Sequence, residues 1–414
     1  MKYVFKGNIP KNEYDKFVTN FPSTSFMQTS AWADVKKTAW ASEMVGMYED
    51  DKLVCTALLL KRKLFLNKKL FYIPRGFVID YTNYDLLKEF TDELKSYCKK
   101  QGAIDIKVDP FVCLKEDNIQ NIRKDKGIEI RKPYEENNTI IDENLKKVGF
   151  VHGGFKKEVN AYIQPRFTMA VALKDKDGKP YDKEALRYTF PKNTRNYIGT
   201  YQEERGVEFK FSTNIEDVKD LVSMLKLTEE RQHVALRSEN YFKSIMKAFP
   251  NNAVLFFARV DIDKYIKFLK EDIKVNPVKK EFDEKQIEEA EKVKEKYGNE
   301  PLAGATIVMM PTCKNGIKTA SFLYAGTNTE ILPSLKITNG LMFYRLCYAL
   351  DNGCDYCDLG GVDGSLEDHL STFKSKFNPE VFELLGEYDL VINKFWNNLF
   401  NIAVKTLKFL RSKR

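Results

Sequence analysis

Apolar and polar positions run along this chain in two rhythms, and the rhythms succeed one another in the same order twice. Residues 31–37 keep helical spacing behind a capping Thr29 or Ser30. Residues 43–48 and 53–61 alternate with period two and meet at Asp50-Asp51, which predicts a hairpin. A strand over 70–73 runs into Pro74-Arg75-Gly76. A helix over 85–99 then leads through Gly102 to a strand over 104–109. Further on, 254–260 and 303–310 are strand-like, and 321–326 repeats the strand and turn of 70–76. A helix over 337–351 leads through Gly353 to a strand over 355–359. The glycine pairs Gly76/Gly102 and Gly326/Gly353 have nearly equal spacing. The pattern therefore predicts a mixed α/β protein made of a duplicated domain, with a period far too long for a solenoid repeat.

One stretch departs from this scheme. Between about 261 and 297, Ile262, Tyr265, Ile266, Leu269 and Ile273 recur at helical spacing. After Asn276-Pro277 a second helix carries Ile287, Ala290, Val293 and Tyr297 among many Glu and Lys, ending at Gly298 and Pro301. This is a short antiparallel helical hairpin. It reads either as a solvated surface insertion or as an arm that touches a large partner.

Composition narrows the picture. The 414 residues are 43% hydrophobic and 13% aromatic, enough apolar material for two cores. A net charge of +8 suits a polyanionic partner, whether nucleic acid, an anionic membrane face or a phosphorylated substrate. The seven cysteines are odd in number and scattered through apolar runs, which predicts reduced core thiols. Cys354 and Cys357, a lone C-x-x-C in a strand, read as core packing. No signal-peptide core follows Met1, and no run approaches the roughly 20 apolar residues of a membrane span. The expectation is a cytoplasmic protein.

The missing motifs exclude whole reaction classes. There is no phosphate loop, no dinucleotide fingerprint and no nucleophile elbow. His152, His233 and His369 form no metal-spaced cluster. The expectation is an enzyme without metal, redox cofactor or covalent intermediate, driven by an activated substrate.

Seven segments, in order, then carry a resemblance. They are Trp32-Ala33-Asp34-Val35-Lys36, Ile106-Lys107-Val108-Asp109-Pro110, Ile163-Gln164-Pro165-Arg166-Phe167-Thr168-Met169, Arg237 through Tyr241-Phe242, Tyr324-Ala325-Gly326, Asp358-Leu359-Gly360-Gly361 and Phe373-Lys374. Each is weak alone. Together they resemble the Fem family of aminoacyl-tRNA-dependent peptidyltransferases. The resemblance implies two GNAT-like acyltransferase domains: residues 1–160 with 381–414, and residues 161–380 with the helical hairpin at about 261–298 inserted. The coiled-coil arm of some members is shortened here. The pyrophosphate loop of true GNAT enzymes is not visible, which argues against acetyl-CoA.

The resemblance also implies a reaction and a set of sites. An amino acid passes from aminoacyl-tRNA, the only co-substrate, to the side-chain amine of a peptidoglycan stem peptide. The acceptor is lipid II or UDP-MurNAc-pentapeptide. Lys36 and Arg237 match residues that hold the acceptor's phosphates, as charge-assisted bonds would. Tyr241 and Tyr324 match tyrosines of the acceptor cavity, although Tyr324 in an apolar strand also reads as core. A lysine-type amine with pKa about 10.4 must lose a proton before it attacks. Asp109 matches a family aspartate that contacts or deprotonates this amine; its strand-end position suits a residue facing a cleft, and an Asp-Pro turn is the bland reading. Lys374 matches a lysine near the ester and suits stabilisation of the oxyanion, with Phe373 packing beside it. For the tRNA, Phe373 and the basic, aromatic stretch containing Lys192 and Arg195 are the binding candidates; the stretch equally reads as a solvated helix face.

The C-terminal segment from Asn393 has six Lys or Arg and no acid. Trp396, Leu399, Phe400, Ala403, Leu407 and Leu410 share one helical face, opposite Lys394, Lys405 and Lys408. Such a helix lies on the inner membrane face or packs back on the first domain. The competing readings are aminoacylation of a protein N-terminus or a lipid, and a non-catalytic tRNA- or membrane-binding protein on the same scaffold.

Overall fold

A computed structural model describes residues 3–124, 138–159, 163–199, 201–232 and 237–412. Two sheets organise the chain. From edge to edge, the first runs Tyr3–Lys6, Ala41–Glu49, Lys52–Lys63, Lys69–Ile73, Ala103–Val108, Tyr388–Val391 and Val151–His152. The second runs Cys113–Asn118, Glu380–Leu384, Phe167–Ala172, Tyr356–Val362, Thr319–Thr327, Leu302–Met309, Ala253–Val260 and Val207–Ser212. The predicted hairpin forms, with Asp50 (φ 47°) and Asp51 (φ 62°) both left-handed, as a tight turn matched to strand twist requires.

The duplication is real in topology. Each sheet has antiparallel strands followed by one parallel pair, Lys69–Ile73 with Ala103–Val108 and Thr319–Thr327 with Tyr356–Val362. A helix makes each crossover. In the first, Tyr84–Lys100, the Asn83 side chain accepts from the Leu86 N–H at 3.1 Å and so caps the start. Leu86, Leu87, Phe90, Leu94 and Cys98 form its buried face against Phe71, Ile73, Ile106 and Val108. In the second unit the parallel pairing lasts only from Thr319 to Ser321. Beyond it, Tyr356–Val362 keeps its other partner, Phe167–Ala172, across a register shift between Asp358 and Gly361, while Tyr324 stays with Ile307. The strands therefore splay apart beside Gly360.

The sheet membership differs from the expected boundaries in two strands. Cys113–Asn118, inside the stretch assigned to the first domain, is an edge strand of the second sheet, paired with Glu380–Leu384. The chain then returns, and Tyr388–Val391 fills the first sheet between Ala103–Val108 and Val151–His152. Tyr388–Val391 thus falls where expected, and it is the second sheet that takes two strands, Cys113–Asn118 and Glu380–Leu384, from residues assigned to the first domain.

The helical hairpin consists of Ile262–Val275 and Lys280–Tyr297. A purely solvated insertion does not describe it: Ile262, Tyr265, Ile266, Leu269 and Ala290 are buried in the second unit's core. Only the outer face carries the solvated ion pairs, such as Lys285 with Glu281. Cys354 and Cys357 are buried free thiols, as expected.

A further core joins the two units. Trp32, Val35, Leu58 and Tyr72 from the first pack with Leu221, Phe242, Ile245, Leu255 and Met309 from the second. Phe26 stands edge-on to both Trp32 (5.2 Å) and Phe249 (6.0 Å). Each such ring pair adds about 1 kcal/mol beyond area burial, which favours a fixed seam.

Candidate functional site

The seam brings together four residues from three segments that lie far apart in sequence. Lys36 occupies the last turn of helix Ser30–Lys36, whose buried side is Trp32, Ala33 and Val35. Its ammonium lies 4.5 Å from the Trp32 ring centroid and 5.3 Å from that of Tyr241. Arg237, just before helix Glu239–Ala248, places its guanidinium 5.5 Å from the same Tyr241 ring. Tyr241 in turn stands edge-on to Tyr324 at 6.3 Å, and Phe242 to Tyr324 at 5.1 Å. Tyr324 is partly buried and packs against the joint core, as Tyr241 and Ile163 do.

Lys36 and Arg237 share one ring, and the arginine acts on the lysine. Burial, followed by repulsion from Arg237, lowers the Lys36 pKa to about 8. Burial also raises the Tyr241 hydroxyl well above its ordinary range, with further contributions from Tyr324. A phosphate placed here would relieve the repulsion between Lys36 and Arg237 and hold Lys36 charged.

Asp109 follows strand Ala103–Val108. It was expected to face a cleft, yet its carboxylate is closed in. Oδ1 accepts from the Arg75 N–H at 2.6 Å; Oδ2 accepts from the Tyr72 hydroxyl at 2.7 Å and the Gln164 N–H at 3.0 Å. Burial raises its pKa, against the lowering effects of Arg75 and of these donors. The reason for the closure is the turn after Ile73. Arg75 has a left-handed backbone (φ 53°), and Asp109 and Gln28, whose Nε2 donates to the Pro74 carbonyl at 2.6 Å, hold that turn from both sides.

Lys374 ends the short helix His369–Lys374, capped by Asp368. It is buried, and its Nζ donates to the carbonyls of Gly360 and Gly361, each at 2.9 Å. Burial lowers its pKa to about 8; Asp358 and Asp368 oppose that shift and Arg345 adds to it. Gly360 is left-handed (φ 84°), and Asp358 accepts from its N–H at 2.8 Å. Gly361 lies so close to the Pro165 ring that a Cβ there would sit 2.1 Å from Cγ. Pro165 also accepts through its carbonyl from the Arg75 guanidinium at 2.9 Å. The segment Gln164-Pro165 is thus a rib between Asp109 on one side and the Lys374-bound turn on the other.

In the core of the second unit, Phe373 packs edge-on to the buried Phe377 at 5.7 Å, and Phe377 to the buried Phe190 at 5.6 Å. Phe190 leads into helix Lys192–Tyr197. Lys192 is exposed there, whereas Arg195 donates to the carbonyls of Tyr188 (3.3 Å) and Phe190 (3.2 Å). Arg195 therefore holds the preceding turn as well as presenting charge.

Two contributors escaped the reading of the sequence. Arg75 ties the units together, and nothing in Pro-Arg-Gly beyond a turn signal marks it. Arg345 is buried in helix Ile337–Asp351, donating to the Leu341 carbonyl and Thr306 and lying 4.3 Å over the Phe322 ring; burial lowers its pKa to about 9. A lone charge in an apolar helix was its signal. Among the described residues no three His, Cys, Asp or Glu side chains gather as a metal site, and His233 lies outside those residues.

The profile of the FemAB family matches residues 9–281 and 273–405. A lipid II:glycine glycyltransferase of Staphylococcus saprophyticus is 28% identical, with 97% of each chain covered. One from Staphylococcus aureus is 28% identical, covering 94% of this chain and 93% of that one. Among solved structures, FemX superposes with a TM-score of 0.73 at 23% identity, over 96% of this chain and 99% of the other, which agrees with the fold described above.

Proposed function

The chain belongs to the FemAB family, and from that premise we propose that it is a transferase that builds the peptidoglycan bridge. It takes an amino acid from an aminoacyl-tRNA and joins it to the side-chain amine of the stem peptide of lipid II. The relatives named as lipid II:glycine glycyltransferases support the acceptor. The reaction belongs on the cytoplasmic side of the membrane, where charged tRNA and a lipid-linked precursor meet. The observation that carries the reading is the convergence of Lys36, Arg237, Tyr241 and Tyr324 at the seam.

In this reading Lys36 and Arg237 bind the diphosphate by charge-assisted bonds, and the two tyrosines wall the cavity beside it. The attacking amine must arrive uncharged, and Asp109 contacts it. Oδ2 already accepts two bonds, so the amine takes the remaining capacity of Oδ1 or displaces a donor. Lys374 has three N–H donors, of which two are committed to Gly360 and Gly361. Its third is available to the oxyanion that forms when the amine attacks the ester. Phe373, Lys192 and Arg195 guide the acceptor end of the tRNA, by stacking and by charge. The ester itself supplies the driving force, so no nucleotide is consumed.

The test incubates purified protein with a mixture of pre-charged tRNAs and either lipid II or UDP-MurNAc-pentapeptide, and weighs the product. The expected result is one or more added aminoacyl masses on lipid II without ATP, metal or acetyl-CoA. A strict requirement for ATP with charged tRNA present, or transfer to the nucleotide-linked acceptor alone, would overturn it.

A further inference from the structure

The C-terminal helix, Lys394–Ser412, starts at the first sheet: the Ile392 and Asn393 N–H groups both donate to the Ile104 carbonyl at 3.0 Å. Asn393 also caps the helix, accepting from the Trp396 N–H at 3.2 Å. On its apolar face Trp396 and Phe400 are half-buried, but apolar side chains at the edge of that face stay in solvent. Phe395 is 69% exposed, Leu399 41% and Ile402 62%. Leu407, Lys408 and Leu410 have side chains outside the described residues.

A second exposed apolar element adjoins it. In the turn Phe65–Asn67, Leu66 is 73% exposed and left-handed (φ 50°), an unfavourable placement for a large apolar side chain. Phe65 lies against Trp396 with ring centroids 5.5 Å apart, and the Lys68 ammonium lies 5.5 Å from the same indole. The turn and the first half of the helix are therefore one surface.

Its rim is uniformly basic. Lys63, Lys68, Lys69 and Lys100 line a cavity of about 430 Å³ beside the turn, and Lys394 and Lys405 are exposed on the helix. Lys61, nearby on the same strand, is paired with Glu43 at 2.8 Å, whereas these six have no carboxylate partner among the described residues. Neither residues 61–70 nor 393–414 contain an acid.

We infer that this surface, formed by the Phe65–Asn67 turn and the C-terminal helix, docks the protein on a bilayer of anionic lipid. Charge complementarity decides the occupant. Unpaired lysines favour anionic headgroups, and the apolar side chains among them are the right depth for the boundary between headgroup and acyl chain. An RNA backbone would use the lysines and leave the exposed Leu66, Phe395 and Ile402 without a purpose. The placement is workable too. Asp109 follows the far end of the strand that begins near Ile104, roughly 20 Å away, so docking leaves the seam open. The inference rests on the lipid-linked acceptor proposed above, and vesicle binding without acceptor tests it separately.

The experiment sediments the full-length protein with vesicles of phosphatidylcholine alone or mixed with phosphatidylglycerol, at low and high salt. Binding is expected to the mixed vesicles only and to weaken with salt. Two double variants, Leu66→Ser with Phe395→Ser and Lys63→Gln with Lys68→Gln, should each lower the bound fraction about tenfold or more. Both should keep the wild-type melting curve and transfer to a soluble acceptor. If the apolar pair melts early, the lysine pair decides. Equal binding to neutral vesicles, unchanged binding by the lysine pair, or a lysine pair that loses charged tRNA while keeping vesicles would overturn the proposal. Loss of transfer in the wild type as well would count against the transferase reading and leave the vesicle result standing.

Discussion

The Gln164 N–H donates to Asp109 Oδ2 at 3.0 Å, so the end of a first-sheet strand is bonded to the segment that enters the second sheet. The bond matters because Gln164 is followed by Pro165, which lies against Gly361, whose carbonyl Lys374 holds. A displacement at Asp109 is thereby felt at Lys374 through a short run of rigid backbone.

The first prediction follows from that arrangement. Asp109→Asn keeps an oxygen for Tyr72 and Gln164 but turns an amide NH2 toward the Arg75 N–H. A buried donor facing a donor costs about 1–3 kcal/mol. Thermal melting should fall together with transfer. Lost turnover with unchanged melting would instead make the carboxylate a base with no structural part.

Lys36→Ala and Arg237→Ala should each raise the acceptor KM about tenfold or more, with binding of charged tRNA unchanged. An equal loss for both substrates would mean that the site is misassigned or that the variants misfold.

The same site predicts a pH limit. With a pKa of about 8, Lys36 is cationic below that pH and neutral above it. Diphosphate binding needs the cation, so acceptor affinity should fall as pH rises past about 8. Lys36→Arg stays charged throughout and should flatten the profile. Initial rates of transfer at saturating tRNA provide the measurement; an identical alkaline fall in the arginine variant would assign it elsewhere.

For Lys374, substitution by Met keeps most of the stem and removes the charge. Single-turnover transfer at saturating acceptor and charged tRNA should drop roughly 100- to 1,000-fold, with acceptor affinity within a few-fold. A wild-type rate under these conditions would reduce Lys374 to a contact that holds the Gly360–Gly361 turn.

Asp105 gives a stability prediction away from the chemistry. Burial, reinforced by Asp389, raises its pKa to about 7, and its Oδ1 has no hydrogen-bond partner among the described residues. The folded state therefore holds a proton that the unfolded chain, with an ordinary carboxylate, releases at lower pH. This contribution favours folding at acid pH and is lost as pH rises toward 7. Asp105→Asn should raise the melting temperature most at pH 8, less at pH 5, and hardly at all below about pH 4, the ordinary carboxylate range. No gain at pH 8 would show that Lys107, paired with Glu387 and Asp389, already offsets the charge.

Much of the fold was legible because it is local. Period-two alternation and the Asp50-Asp51 turn fixed the hairpin, and the i, i+3, i+4 spacing of Leu87, Phe90, Leu94 and Cys98 marked a crossover helix. The exchange of Cys113–Asn118 was not legible, since its sequence hardly alternates and its partner lies more than 250 residues away. The inner face of the helical hairpin was visible as Ile262, Tyr265, Ile266 and Leu269; which core it would meet was not. Lys36, Arg237, Tyr241 and Tyr324 were picked out by resemblance, since no periodicity connects them. The closure of Asp109 depended on Arg75, whose backbone contribution no side-chain pattern encodes.

The return of the chain to the first sheet also imposes an order on biosynthesis. Tyr388–Val391 lies inside the first sheet, yet it is translated only after every strand of the second sheet. Until it arrives, Ala103–Val108 keeps an open edge of unpaired backbone throughout translation of the second unit. A nascent or truncated chain ending before Tyr388 therefore presents that edge to any other strand that can pair with it.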